Sequence, residues 1–174
     1  MRTERITTAA HPLFPAAMSL YKESFPFHEQ REPASQHTIM QHKEYHFLAV
    51  FDNADAFVGL ILCWETEEFI YVEHFCIGST LRNQGFGSRA LQLLLETGKT
   101  VILEIDPPVD DISRRRKGFY ERCGFAANPY PHIHPPYHQD HSGHALVVMS
   151  APNPITEEAY KRFSAYLQET VMGN

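Results

Sequence analysis

Runs of apolar residues broken by short polar turns dominate the middle of this chain. Residues 45–51, 57–64 and 69–77 are rich in β-branched and aromatic side chains, which suit a pleated, half-buried surface and predict three strands. Asp52-Asn53-Ala54-Asp55 joins the first two, because Asn and Asp tolerate left-handed angles, and Glu65-Thr66-Glu67-Glu68 joins the next two. Three strands in sequence with such turns form an antiparallel meander. Residues 100–105 and 145–150 predict two more strands. Elsewhere the apolar spacing is helical. Phe14, Ala17, Met18, Tyr21 and Phe25 make one stripe over residues 11–25, with Pro12 in the first turn and Pro26 at the end. Residues 33–40 predict a shorter helix carrying Ile39 and Met40. Phe86, Ala90, Leu93 and Leu94 fall at i, i+4, i+7 and i+8 and predict a helix from Phe86 onward. Residues 113–123 predict a helix with Ile112, Phe119, Tyr120 and Cys123 on one side, with Asp110, Asp111 or Ser113 as the cap and Gly124 at the end. Residues 156–171 close the chain as an amphipathic helix behind the N-cap Thr156.

No internal repeat or linker interrupts this pattern, so residues 1–174 read as one domain. With 174 residues, 43% of them apolar, the chain can bury roughly two-thirds of its unfolded surface. No apolar run approaches the roughly 18 residues of a membrane span, and Met1-Arg2-Thr3-Glu4-Arg5 leads into no apolar leader segment. The three cysteines, Cys63, Cys76 and Cys123, sit inside apolar stretches and read as buried free thiols of a reducing cytoplasm. The formal net charge of −6 argues against a nucleic-acid partner. It suits a cationic substrate such as an amine, although solubility alone accounts for it.

Candidate chemistry concentrates at the junction after the third strand. There Arg82-Asn83-Gln84-Gly85-Phe86-Gly87-Ser88 runs into a helix whose first-turn N–H groups and positive dipole end can hold an anion. The Walker loop is excluded, because no Lys precedes Ser88. The dinucleotide fingerprint is excluded too, because no third glycine follows at Ala90 and no early β-α-β unit surrounds the motif. Arg82-x-x-Gly85-x-Gly87 resembles the pyrophosphate loop of the GNAT N-acetyltransferase superfamily. Phe119-Tyr120-Glu121-Arg122-Cys123-Gly124-Phe125, in the family's order and at about its spacing, resembles that superfamily's "FYE-x-x-GF" segment. The resemblance covers residues 45–125.

The resemblance implies a mixed α/β (α+β) fold: a mostly antiparallel central sheet, a splayed parallel strand pair, and helices on both faces. It implies acetyl-CoA as co-substrate, no metal, and direct transfer in a ternary complex to a primary amine of a small molecule. Main-chain groups of Cys76 and Ile77 would meet pantetheine. The amides of Arg82, Asn83, Gln84, Gly85, Phe86, Gly87 and Ser88 would hold the diphosphate. Tyr120 would protonate the leaving thiolate, as a phenol carries its proton at neutral pH. The family fixes no base. Glu73, on a face with Tyr71, Phe75 and Ile77 and opposite His74, is a carboxylate among aromatics whose raised pKa would let it accept a proton. Glu104, Asp106 or a water chain are the alternatives. Ser113 stands where many members carry Asn, and Arg116 where many carry Ala; both are candidates for the cofactor phosphates, as is the basic run Arg114-Arg115-Arg116-Lys117. Family members often dimerise, and a homodimer is an open expectation.

Five histidines fall between His132 and His144, with Pro129, Pro131, Pro135 and Pro136 around them. Imidazoles bind zinc or nickel, but the prolines separate these groups and no helix fixes an i, i+4 pair. The segment links the last two strands and would overhang the acceptor site, making Tyr130, His134 and Tyr137 lining candidates. Phe27 is another, from the loop between the first two helices. Three other functions stay open: a non-catalytic acyl-CoA sensor, a protein N-terminal or lysine acetyltransferase, and a histidine-rich metal binder.

Overall fold

Strands β2 (Tyr45–Phe51), β3 (Phe57–Glu65) and β4 (Phe69–Ile77) pair antiparallel in sequence order, as the turns between them require. They form the centre of a computed structural model that describes residues 1–173. A short edge strand, β1 (Arg2–Arg5), precedes them and pairs with β2. Beyond β4 lies β5 (Thr100–Ile105), parallel to it, then β8 (His144–Ala151), antiparallel to β5. The outer edge of β8 carries two fragments, β6 (Ala126–Ala127) and β7 (His132–His134). The sheet is mixed and mostly antiparallel, with the single parallel pair β4–β5, as expected.

Helices cover both faces. Helices α1 (Phe14–Ser24), α2 (Pro33–Ile39) and α5 (Glu157–Tyr166) bring Ala17, Tyr21, Ile39 and Phe163 against Phe47, Leu60, Leu62, Trp64, Phe69 and Tyr71. Helices α3 (Phe86–Leu95) and α4 (Asp111–Arg122) bring Ala90, Leu91, Leu94, Phe119 and Tyr120 against Ile61, Cys63, Ile70, Val72, Val101 and Leu103. Cys63 and Cys76 are buried, Cys123 is half-buried, and all three are free thiols.

Several boundaries differ from the pattern. Helix α1 begins at Phe14, with Pro15 rather than Pro12 in its first turn, because turns closing on Thr8 and His11 occupy the residues before it. After Tyr166 the last helix widens into a π turn, Leu167–Val171. Strands β1, β6 and β7 carry no apolar run; they are edge fragments held by their neighbours.

Two irregularities coincide on β4. Leu62 faces His74 but Cys63 faces Val72, so Glu73 is the extra residue of a β-bulge. Parallel pairing with β5 runs from Phe69 and Thr100 only as far as Val72 and Leu103. The bulge shifts the alternation by one. His74 and Glu73 therefore both lie on the α1 side, correcting the expectation that they face opposite ways.

Backbone approach between β3 and β4 is closest at Gly59, where an added Cβ would run into the Cys76 carbonyl oxygen and stand 2.7 Å from Ile77 Cδ1. Gly59→Ala is expected to lower the unfolding free energy by about 2 kcal/mol, as other overpacked sites do, read as a lower urea midpoint. An unchanged midpoint would show that the strands yield freely there.

Candidate active site

The stretch between β4 and α3 folds as its glycines require. Asn83 and Gly85 both take positive φ, 63° and 77°. Asn tolerates that region, and Gly has no Cβ to strain there. A Cβ at Gly85 would meet nothing within 4 Å, so the outer side of the loop is open. The backbone bond that ties helix to loop runs from Arg89 N–H to the Gly85 carbonyl (3.2 Å). The amides of Phe86, Gly87 and Ser88 precede it, at the positive end of the helix dipole. Arg82 Nε donates to the Ile77 carbonyl (3.4 Å) and Ser88 Oγ to the Gly85 carbonyl (3.1 Å).

This loop forms one end of a cleft of about 1820 Å³ that passes between the diverging strands β4 and β5. Its walls include Cys76, Ile77, Arg82, Asn83, Gly85, Gly87 and Ser88 near the loop, Arg114, Arg115, Arg116 and Tyr120 from α4, and Glu73, His134 and Tyr137 at the far end. Those expected site residues share one cavity. Five others do not line it. Ser113 is buried in the α4 capping box: its hydroxyl donates to the Asp110 carboxylate (3.0 Å) and accepts from the Asp110 N–H (3.1 Å). Tyr130 stacks on Tyr160 and donates to the Ile155 carbonyl (2.9 Å). Phe27 is 66% exposed and stacks on His138, while its neighbours Phe25, Pro26, His28 and Glu29 do line the cleft. Gln84 donates to the Thr80 carbonyl (3.2 Å), and the Phe86 ring lies under Arg89. Arg116 faces the cleft while paired with Asp106 (2.6 Å).

Glu73 is not the aromatic-caged, proton-accepting carboxylate that its sequence neighbours imply. Arg31 donates to its Oε1 from both Nε (3.2 Å) and a terminal nitrogen (2.7 Å), Tyr137 donates to the same oxygen (3.0 Å), and Trp64 Nε1–H donates to Oε2 (2.8 Å). Burial pushes this carboxyl up, but the guanidinium and the Trp64 N–H outweigh it and hold it at about 2. Arg31 also donates to the Val171 carbonyl (2.8 Å), so one side chain ties β4 to the C-terminal turn. Nothing local marks Arg31 in the sequence; its role follows from tertiary placement. His74 donates from Nε2 to the Glu29 carbonyl (2.7 Å), which leaves its enclosed Nδ1 without a partner, 4.0 Å from Glu73 Oε1.

Tyr120 packs its ring beside Phe119 and Phe125, and burial pushes its phenol up to about 12, so it is a proton donor at neutral pH. A second buried carboxylate, Glu104, accepts from Tyr71 (2.5 Å) and from His132 Nε2–H. Burial pushes its pKa up, but these donors outweigh it and the net shift is downward. Among the described residues, no three His, Cys, Asp or Glu side chains group into a metal-binding set, and no helix is long and apolar enough to cross a membrane.

An open mixed sheet whose parallel strands part beside an amide-lined helix start defines an N-acetyltransferase fold. A model of the acetyltransferase (GNAT) family matches residues 14–125. A solved structure from Bacteroides thetaiotaomicron, assigned by name alone to GNAT-family acetyltransferases, superposes with a TM-score of 0.92 at 31% identity, covering 100% of this chain and 99% of that one. The chain belongs to the GNAT acetyltransferase family. YjbC of Bacillus subtilis (strain 168), also an acetyltransferase by name alone, is 23% identical over 105 residues, 59% of this chain; the match spans about half, 53%, of that relative's length. An aminoglycoside 6'-N-acetyltransferase complexed with coenzyme A shares the fold at 15% identity and a TM-score of 0.57, over 90% of this chain and 100% of that one.

The Arg31–Glu73 pair has a measurable signature. The folded-state carboxyl is held below its ordinary 4.5, at about 2, so its contribution is present above pH 4.5 and is lost as pH falls toward 2. Glu73→Gln is expected to flatten the stability-against-pH curve in that window. Arg31→Met leaves a buried carboxylate unpaired and is expected to cost roughly 3–5 kcal/mol at pH 7. Chemical denaturation across pH 2–7 checks both.

Proposed function

We propose that this protein is an acetyl-CoA-dependent N-acetyltransferase that acetylates a primary amine of a small molecule by direct transfer in a ternary complex. The observation that carries the proposal is the continuity of one cleft, from the first-turn amides of α3, through the strand gap, to Tyr120 and the aromatic far end. Family membership supports the acyl-CoA chemistry, and the fold shared with a coenzyme A-bound aminoglycoside 6'-N-acetyltransferase supports a small amine as acceptor.

Each part of the cleft has a task. Amides of residues 82–88 hold the diphosphate, with Arg82, Arg114, Arg115 and Arg116 adding positive charge. Cys76 and Ile77 lie beyond the last β4–β5 pair, with β3 as their only strand neighbour among the described residues, so their main chain borders the gap in which the pantetheine arm would lie. Acetyl-CoA, when bound, supplies an activated thioester. Tyr120 stands ready to give its proton to the departing sulfur. The acceptor enters at the far end, past Phe25, Glu29, His134 and Tyr137. Net charge −6 and a half-buried acid on that wall, Glu29, favour a cationic guest.

The test is release of free thiol from acetyl-CoA in the presence of a polyamine, an aminoglycoside, an aromatic monoamine and a peptide with a free amino terminus. Turnover on one of the small amines is the expected result. Tyr120→Phe is expected to lower kcat about 10²-fold or more, with the calorimetric Kd for CoA unchanged. Tight CoA binding without turnover on any amine would instead support an acyl-CoA sensor, and turnover on the peptide alone would support a protein acetyltransferase.

A further inference from the structure

Resting on that reading, we infer that His134 is the general base that takes the proton from the acceptor ammonium, and that Glu104 is its positioning partner. The ring of His134 lines the cleft from β7. Its Nδ1–H donates to the Pro135 carbonyl (2.5 Å), which fixes the tautomer and leaves the Nε2 lone pair open. Nε2 stands 3.8 Å from Glu104 Oε2. Two acceptors facing each other at that distance share no hydrogen bond. Once Nε2 carries a proton, however, the new imidazolium gains an adjacent carboxylate.

Glu104 is ready for that role. Tyr71 and His132 donate to it from two sides, and they hold it ionised inside the protein. His132 is itself fixed by Tyr160, whose hydroxyl lies 3.0 Å from its Nδ1. A carboxylate so held does not compete for the proton but stabilises it on His134. Glu73 cannot do the same work, because Arg31 already occupies it. His74 also has an open nitrogen, but that atom is enclosed, and burial pushes its pKa down.

The step is a proton transfer from a protonated primary amine. An N–H bond of the ammonium breaks, its electron pair stays on nitrogen as the nucleophilic lone pair, and an H–Nε2 bond forms on His134. The resulting charge is shared with Glu104 and passes to solvent after turnover.

Wild-type protein tests the tautomer directly. Nitrogen-15 NMR of the histidine side chains at alkaline pH is expected to show the Nδ1–H form for His134. The titratable groups around this ring are Glu104, Tyr137, His144 and His74, with Tyr71 and His132 bonded to Glu104 and Glu73 bonded to Tyr137. His74 is expected in the Nε2–H form and serves as the internal contrast. With the best amine of the panel, His134→Gln is expected to lose the acid limb of the kcat/KM profile and about 10²-fold in kcat, at unchanged Kd for CoA. Glu104→Gln keeps the limb but moves it to lower pH, because the imidazolium loses its counter-charge. An Nε2–H tautomer at His134, or a wild-type profile in His134→Gln, overturns the assignment alone. No turnover of any amine by wild-type protein overturns it together with the transferase reading.

Discussion

Parallel hydrogen bonding between β4 and β5 stops at Val72 and Leu103, and the rest of the molecule is arranged around that stop. Each strand continues past it, β4 to Ile77 and β5 to Ile105, with main-chain donors and acceptors that no longer meet. In most sheets such a gap would leave polar groups without partners, at a cost near that of a lost hydrogen bond each. Here it opens into a large cleft bounded by the start of α3 on one side and by β7 on the other. The bulge at Glu73 falls one residue beyond the last pair, where β4 turns away from β5. A bulge bends its strand and increases local twist, so it and the gap are two views of one distortion.

Two buried carboxylates flank this distortion, and the fold treats them differently. Glu73 meets a guanidinium, a cation that does not titrate in any accessible pH range, plus an indole N–H and a phenol. Its charge is fixed, and it fastens β4 to Arg31 and through Arg31 to the Val171 carbonyl. Glu104 meets imidazoles and a phenol instead. None of these partners is a fixed cation, so the charge of Glu104 is held by hydrogen bonds rather than by an ion pair like that of Arg31 and Glu73. The same residue type thus anchors structure on one strand and faces chemistry on the next.

Local signals carried much of this architecture. The meander, the parallel strand and the helix start at Phe86 follow from periodicity and turn residues, and the two motifs around Gly85 and Tyr120 mark both ends of one wall. Register did not follow. Strict alternation puts His74 opposite Glu73, and only the partner strand, through Leu62 and Cys63, reveals the extra residue. Arg31 shows the same limit: it sits 42 positions from Glu73 in a polar loop, and no spacing rule connects them. Ser113 shows the converse. Its position invited a ligand role, yet the adjacent Asp110 captures its hydroxyl in a cap, a local competition that the sequence Asp-Asp-Ile-Ser already permits.

Strand β7 explains why the histidine-rich segment resisted reading. Its pattern is inverted: His132 and His134 point inward and are buried, while Ile133 between them is 65% exposed. Period-two logic assigns the apolar residue to the core and the imidazoles to water. The inversion is stable because the Pro135 carbonyl accepts from His134, while Glu104 lies beneath the strand and accepts from His132, a carboxylate that β5 delivers at the point where its pairing with β4 has ended. Without the strand gap, Glu104 would have no cavity to face and His132 no buried acceptor. Prolines at 131, 135 and 136 then keep β7 to three residues and stop it from extending into an ordinary, apolar-inward hairpin. The segment is a wall built to present polar rings to the cleft, and its form depends on the interrupted pairing of β4 with β5.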